Sequence, residues 1–233
     1  MLDKKSVIIF DMDGTLIDSV GVWNEIDQEL IHRLGGGDES MEVVQKRRDE
    51  ALTRYKDEKE PYVAYCTYLG QQYHSPLTGQ EIHSLRYTIA RDFLLHKVDY
   101  KEGVPEVLRA LQHMGKTLVI ATTTRRDNMD IYRTKNTNLL SKAPLDDFFT
   151  AIYTKEDAKH IKPDPEIYLT VMKDFGKKPE DCLVFEDSLI GVQAAKAAGI
   201  ETVAVYDRYS ERDQKEIKKL ADHWITNFGE LSF

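Results

Sequence analysis

Apolar residues fall into two kinds of pattern along this chain, and the two kinds occupy different stretches. Residues 7–10, 118–121, 183–185 and 202–205 are continuously apolar or β-branched, and a weaker run covers 151–153. Short runs without alternation predict strands buried on both faces, as in a parallel sheet covered by helices. In the last third, helices are predicted between these runs. Asp164-Pro165 reads as an N-cap with Pro at the first helical position, opening a helix over 166–175 that stops at Gly176. Ser188 likewise precedes a helix over 191–198 that ends at Gly199. Residues 17–97 differ. Val22, Trp23, Ile26, Leu30, Ile31 and Leu34 keep a helical period, and further helical patterns cover 41–55, 62–73 and 80–95 with no strand among them. The predicted fold is therefore α/β, a doubly wound parallel sheet interrupted after its first strand by an all-helical insert. The α/β domain takes residues 1–16 and 98–233 and the insert residues 17–97, with linkers at 17–19 and 97–101.

The length of 233 residues suits a domain plus an insert of that kind. Lys and Arg total 32 against 40 Asp and Glu, a net charge of −8. Such a chain is poorly suited to neutralising the phosphates of nucleic acid or an anionic membrane. Cys66 and Cys182 stand far apart without CxxC or CxxH partners, so neither a disulfide framework nor a zinc site is expected. A reducing cytosol is the simplest compartment. The N-terminus lacks the apolar core of a signal peptide, and no apolar run approaches the ~20 residues of a membrane span. The expectation is a cytoplasmic protein with no nucleic-acid or membrane partner.

Chemistry gathers where the strands end. The first predicted strand leads into Asp11-Met12-Asp13-Gly14-Thr15, the second into Thr122-Thr123-Thr124-Arg125, a later one into Glu186-Asp187-Ser188, and the last is soon followed by Asp207. Carboxyl ends of parallel strands line the crevice where ligands bind, so these acids and hydroxyls should converge. Crowded carboxylates repel unless a cation joins them, and hard oxygen ligands suit Mg²⁺ with waters and a substrate phosphate. A carboxylate in that setting can also attack phosphorus and form an aspartyl-phosphate. Asp and Gly are equally ordinary turn residues, and the threonines alone would read as strand-edge residues. Trp23 fits helix packing as well as substrate contact. Lys46-Arg47-Arg48 reads as a solvated helix face, and the Gly35–Gly37 run as a helix stop rather than a phosphate loop.

Asp11-Met12-Asp13-Gly14-Thr15-Leu16 resembles the first motif of the haloacid dehalogenase-like superfamily. Thr122 is similar to its hydroxyl motif, Lys162 in Ile161-Lys162-Pro163-Asp164-Pro165 to its lysine motif, and Glu186-Asp187-Ser188 to its acidic motif. The four motifs stand in family order across nearly the whole chain. The resemblance implies that Asp11 is the nucleophile and a Mg²⁺ ligand. Asp13 is then the general acid/base, with its backbone carbonyl on the metal, and Asp187 with Glu186 completes the metal site. Thr122 and Lys162 are implied to hold the transferring phosphoryl group. The insert resembles the helical cap of the subfamily typified by β-phosphoglucomutase and sugar-phosphate phosphatases, in which the cap closes over the core and selects the substrate.

An acid at Asp13 favours phosphate esters over halides, because an alkoxide leaving group benefits from protonation. The family's mutase has a histidine where this chain has Trp23, while Asp18-Ser19-Val20-Gly21-Val22-Trp23 is closer to the hexose- and hexitol-phosphate phosphatases. No Gly-x-Ser/Thr-Arg substrate loop is found among residues 35–54. The expected activity is hydrolysis of a small phosphorylated metabolite, a sugar or polyol phosphate, with an intramolecular phosphomutase as the alternative. A phospho-acceptor signalling module also uses a strand-end Asp, Mg²⁺, a hydroxyl and a Lys, but lacks the Asp-x-Asp-Gly opening and the helical insert.

Overall fold

The computed structural model describes residues 2–55 and 58–231. After β1 (Val7–Phe10) come four consecutive helices: α1 (Val22–Arg33), α2 (Met41–Arg54), α3 (Pro61–Gln72) and α4 (Gly79–His96). The chain then runs through α5 (Val104–His113), β2 (Thr117–Ala121), α6 (Arg126–Thr134), α7 (Thr137–Lys142), α8 (Leu145–Phe148) and β3 (Phe149–Tyr153). It finishes with α9 (Glu166–Asp174), β4 (Cys182–Glu186), α10 (Leu189–Ala197), β5 (Glu201–Val205), α11 (Gln214–Leu220) and β6 (His223–Ile225). The six strands form one parallel sheet in the order β3-β2-β1-β4-β5-β6. The doubly wound sheet expected from the apolar runs is present. One strand escaped the sequence pattern: β6 is three residues at the sheet edge, and of these only Ile225 is buried.

Burial explains why the central strands read as continuous apolar runs. Every residue of β1 and β4 is buried, and so are the last four of β2 and of β5. On one face Val7, Ile9, Val119, Ala121 and Val184 pack with Ile167, Tyr168 and Val171 of α9 and Ala194 and Ala195 of α10. Alternation along the strands sends Phe10 and Phe185 to the opposite face. Their rings stack there with centroids 4.9 Å apart, and Phe228 lies 5.4 Å from Phe185.

The chain divides into two compact units, residues 1–20 with 98–233 and residues 21–97. The first boundary therefore falls later than the predicted start of the insert at residue 17. Local pairing is the reason. Lys101 N donates to Leu16 O (2.9 Å), Asp18 N donates to Asp99 O (3.0 Å), and Ile17 bridges Tyr100 in antiparallel fashion. Residues 17–20 are thereby tied into the sheet-bearing unit.

The helical unit comprises α1–α4. Thr78 and Glu81 form a reciprocal capping box that starts α4, with Thr78 N donating to Glu81 Oε2 at 2.7 Å. Asp27 is fully buried and accepts from Arg86 Nε (2.5 Å) and Arg48 Nη1 (2.9 Å). The Arg86 guanidinium also faces the rings of Trp23 and Tyr62, at 5.2 and 5.1 Å from their centroids. Thus only part of the 46–48 basic run is a solvated face. Lys46 is exposed, while Arg48 pairs with Asp27, and Arg47 pairs with Glu39 and donates to the Tyr73 hydroxyl. Removing the Asp27 carboxylate leaves, among the described residues, the buried Arg86 without its counter-charge and Arg48 with only the distant Asp49 (3.9 Å). We expect Asp27→Ala to lower the unfolding free energy by about 3–5 kcal/mol, measured by urea titration.

Candidate active site

Strand register sets the geometry of the site. Phe10 is level with Ile120 on one side and Phe185 on the other, so the next residues along, Asp11, Ala121 and Glu186, come level too. Asp11 N extends the ladder with a bond to Phe185 O at 3.0 Å. β1 lies between β2 and β4, where the chain reverses its direction of travel across the sheet. Ligand crevices form outside the strand ends at such a switch point.

Lys162 reaches this level from the loop before α9. Its ammonium donates to Asp11 Oδ1 (2.6 Å), Glu186 Oε1 (2.6 Å) and Ala121 O (2.9 Å), which satisfies its three N–H groups. Glu186 is fully buried, and Oε1 also accepts from the Tyr168 hydroxyl at 2.9 Å. Its Oε2 accepts from Asp187 N (3.1 Å) and Ser188 Oγ (3.2 Å). Gly191 makes room for this carboxylate: a Cβ there would lie 2.0 Å from Glu186 Cδ.

Asp187 accepts from Thr15 Oγ1 at 2.8 Å, and no ion pair reaches it among the described residues. Asp11, Glu186 and Asp187 offer carboxylate oxygens that all lie within 4.8 Å of one another. Burial raises the Asp11 carboxyl to about 7 against the opposing pull of Lys162, and Glu186 and Asp13 add to the rise. Burial, followed by Glu186 and Asp11, drives Asp187 well above the usual carboxylate range. Burial alone would lower Lys162, but Asp11 and Glu186 hold it well above its ordinary value and keep it charged. Three close, buried carboxylates with a single ammonium leave negative charge uncompensated. The oxygen donor set fits a hard divalent cation.

Asp13 lies apart from this lysine cluster, because the chain turns at once rather than continuing extended: Leu16 N and Ile17 N both donate to Met12 O. Three hydroxyls surround its carboxylate. Ser19 Oγ (2.5 Å) and the Tyr132 hydroxyl (3.4 Å) donate to Oδ1, and Thr124 Oγ1 donates to Oδ2. Thr122, also buried, donates through Oγ1 to Thr124 Oγ1 at 3.0 Å, which links it to Asp13 through one intervening hydroxyl. Thr124 thus bonds the Asp13 carboxylate rather than serving only as a strand-edge residue. Thr15 and Ser19 stand inside the Asp11 and Asp18 motifs without a role assigned by sequence, and Tyr132 and Tyr168 carry no local signal.

Gly14 has φ +87°, and a Cβ on it would stand 2.4 Å from Asp187 Oδ2. The backbone conformation and the missing side chain are both required there. Gly14→Ala is expected to lower kcat at least tenfold while leaving a folded protein, read by steady-state kinetics alongside circular dichroism.

Sheet and acidic centre together define a parallel α/β protein whose carboxylate cluster sits at a strand switch point. Residues 8–205 match the model of the haloacid dehalogenase-like hydrolases, and the chain belongs to that family. It is 27% identical to hexitol phosphatase B of Escherichia coli K12, covering 96% of this chain and 93% of that one. It is 29% identical over 86% of its length to the bifunctional riboflavin kinase/FMN phosphatase of Arabidopsis thaliana, of which it spans about half (48%). A solved structure of a candidate β-phosphoglucomutase from Thermotoga maritima superposes with a TM-score of 0.70 at 25% identity, over 94% of each chain. Within the family the chain groups with phosphoric monoester hydrolases. No helix among the described residues is long and apolar enough to cross a membrane.

Proposed function

We propose that this chain is a Mg²⁺-dependent phosphatase that hydrolyses a small phosphorylated metabolite, a sugar or polyol phosphate, through an aspartyl-phosphate on Asp11. The observation that carries the reading is the Lys162 ammonium bonded to both Asp11 and Glu186, with Asp187 alongside. Asp11, the backbone carbonyl of Asp13 and Asp187 would hold Mg²⁺. Glu186, whose two oxygens are already engaged, acts chiefly by orienting Lys162. When bound, the metal neutralises these carboxylates and the phosphoryl oxygens.

An Asp11 oxygen attacks phosphorus as the ester P–O bond breaks, and Asp13 gives its proton to the departing alkoxide. Asp13 then takes a proton from water as that water attacks phosphorus. The bond to Asp11 breaks and inorganic phosphate leaves. Thr122 steadies the phosphoryl oxygens through its hydroxyl and Lys162 through its positive charge, and the hydroxyls of Ser19, Thr124 and Tyr132 fix the direction of the Asp13 carboxylate.

Trp23 supports hydrolysis over mutase chemistry: its ring faces Arg86 and brings no titratable group to the position where the family's mutase has a histidine. A sugar or polyol substrate is supported by relatives such as the hexitol phosphatase. The test is release of inorganic phosphate from a metabolite panel with Mg²⁺ and with EDTA, and Mg²⁺-dependent release from a sugar or polyol phosphate is the expected result. No turnover of any member, or isomerisation that requires a bisphosphate activator, would overturn the reading.

A further inference from the structure

Three separated segments meet at one lysine outside the family motifs. Lys101 Nζ donates to the carbonyls of Gly14 and Tyr206 (the latter at 2.9 Å) and to Asp207 Oδ2 at 2.8 Å. The ammonium thus has an acceptor for each of its three N–H groups. Asp207 is 3% exposed, and its other oxygen accepts from Tyr209 N at 2.8 Å. The Lys101 main chain is fixed as well, through its bond to Leu16 O.

We propose that Lys101 is a positioning residue for Asp187, acting through the Gly14–Thr15 peptide. The Gly14 carbonyl and the Thr15 amide belong to one planar unit, so an ammonium on that carbonyl sets the plane from which the Thr15 side chain departs. Thr15 Oγ1 donates to Asp187 Oδ1 at 2.8 Å, and the same carboxylate fills the space that a Cβ on Gly14 would take. Both contacts of this loop with Asp187 therefore depend on how the peptide is turned. The Tyr206 carbonyl and the bond from Lys101 N to Leu16 O hold the ammonium against Gly14, and Asp207 supplies its counter-charge.

The competing explanation is that Lys101 serves only to neutralise Asp207. Asp207→Asn removes that charge yet leaves the Lys101 bonds to Gly14 O and Tyr206 O. Lys101→Met combined with Asp207→Asn removes the Gly14 bond without leaving a buried, unpaired carboxylate at 207 to destabilise the variant. Two readouts are taken on each protein: steady-state kinetics with Mg²⁺, and amide hydrogen exchange over residues 13–17, which reports local opening. The kinetic arm rests on the phosphatase reading above, whereas the exchange arm is independent of activity.

The single variant is expected to keep kcat within about twofold of the parent, with unchanged exchange. The double variant is expected to lose about tenfold or more in kcat, with KM within about threefold, and to exchange faster over 13–17. Parental kcat and exchange in the double variant would overturn the proposal. So would equal losses in both variants, which would assign the effect to the ion pair alone. If the parent hydrolyses no phosphate ester, the phosphatase reading fails while exchange still decides the role of Lys101.

Discussion

Asp11→Asn is expected to lower kcat by at least about 10³-fold, because on the proposed mechanism an amide oxygen does not replace the attacking carboxylate. The substitution is close to isosteric, and Lys162 keeps Glu186 Oε1 and Ala121 O as acceptors. The melting temperature is therefore expected to stay within a few degrees of the parent. The pairing of lost chemistry with retained fold is what matters. A residue that merely shaped the loop would lose both together. Quench-flow trapping adds a check: the parent should form an acid-stable, base-labile phosphoenzyme and the variant none.

Lys162→Met is expected to have the second largest effect, and it should strike activity and stability together. Lys162 is the cation that opposes the burial-driven rise of the Asp11 carboxyl, and it also pairs with the fully buried Glu186. Its removal leaves carboxylates without their counter-ion, at an expected cost of about 3–5 kcal/mol. Loss of the ammonium from a phosphoryl-transfer site should lower kcat by about 10²–10³-fold. The stability loss has a pH sign. Asp11 already has a folded-state value of about 7, above its ordinary 3.8, and losing Lys162 raises it further. A group whose folded value is raised favours the fold while protonated, and that contribution is lost as pH rises through the folded value. The penalty of Lys162→Met should thus be larger at pH 8 than at pH 5.5, measured by urea titration in EDTA.

Much of the architecture is written locally and much of the site is not. Four central strands announce themselves because both faces are covered, so almost no polar residue interrupts them. β6 does not, since a three-residue edge strand with one buried side chain has no such pattern. Asp11, Glu186 and Asp187 are visible because they end strands, and Lys162 because it stands in a Lys-Pro-Asp-Pro setting. Thr124 and Tyr132 reach Asp13 from 111 and 119 positions away, through crossovers that no short window contains. The same holds for charge. Arg48 looks solvated within its own helix, and Asp27 and Asn24, 21 and 24 residues earlier, draw it inward. Lys101 falls at the end of the predicted 97–101 linker, and its partners Gly14 and Asp207 are assembled only by the fold.

The paired segments at 16–18 and 99–101 have a consequence for modularity. They bring the exit and re-entry points of the helical unit to adjacent hydrogen-bonded positions. Whatever joins two neighbouring points closes a loop whose entropic cost grows only slowly with its length. The acidic cluster, the lysine and the hydroxyls around Asp13 all belong to the sheet-bearing unit. An exchange of residues 21–97 for a different helical insert would leave each of those groups in its native segment. The plan thereby separates one replaceable cassette from every residue of the acidic centre.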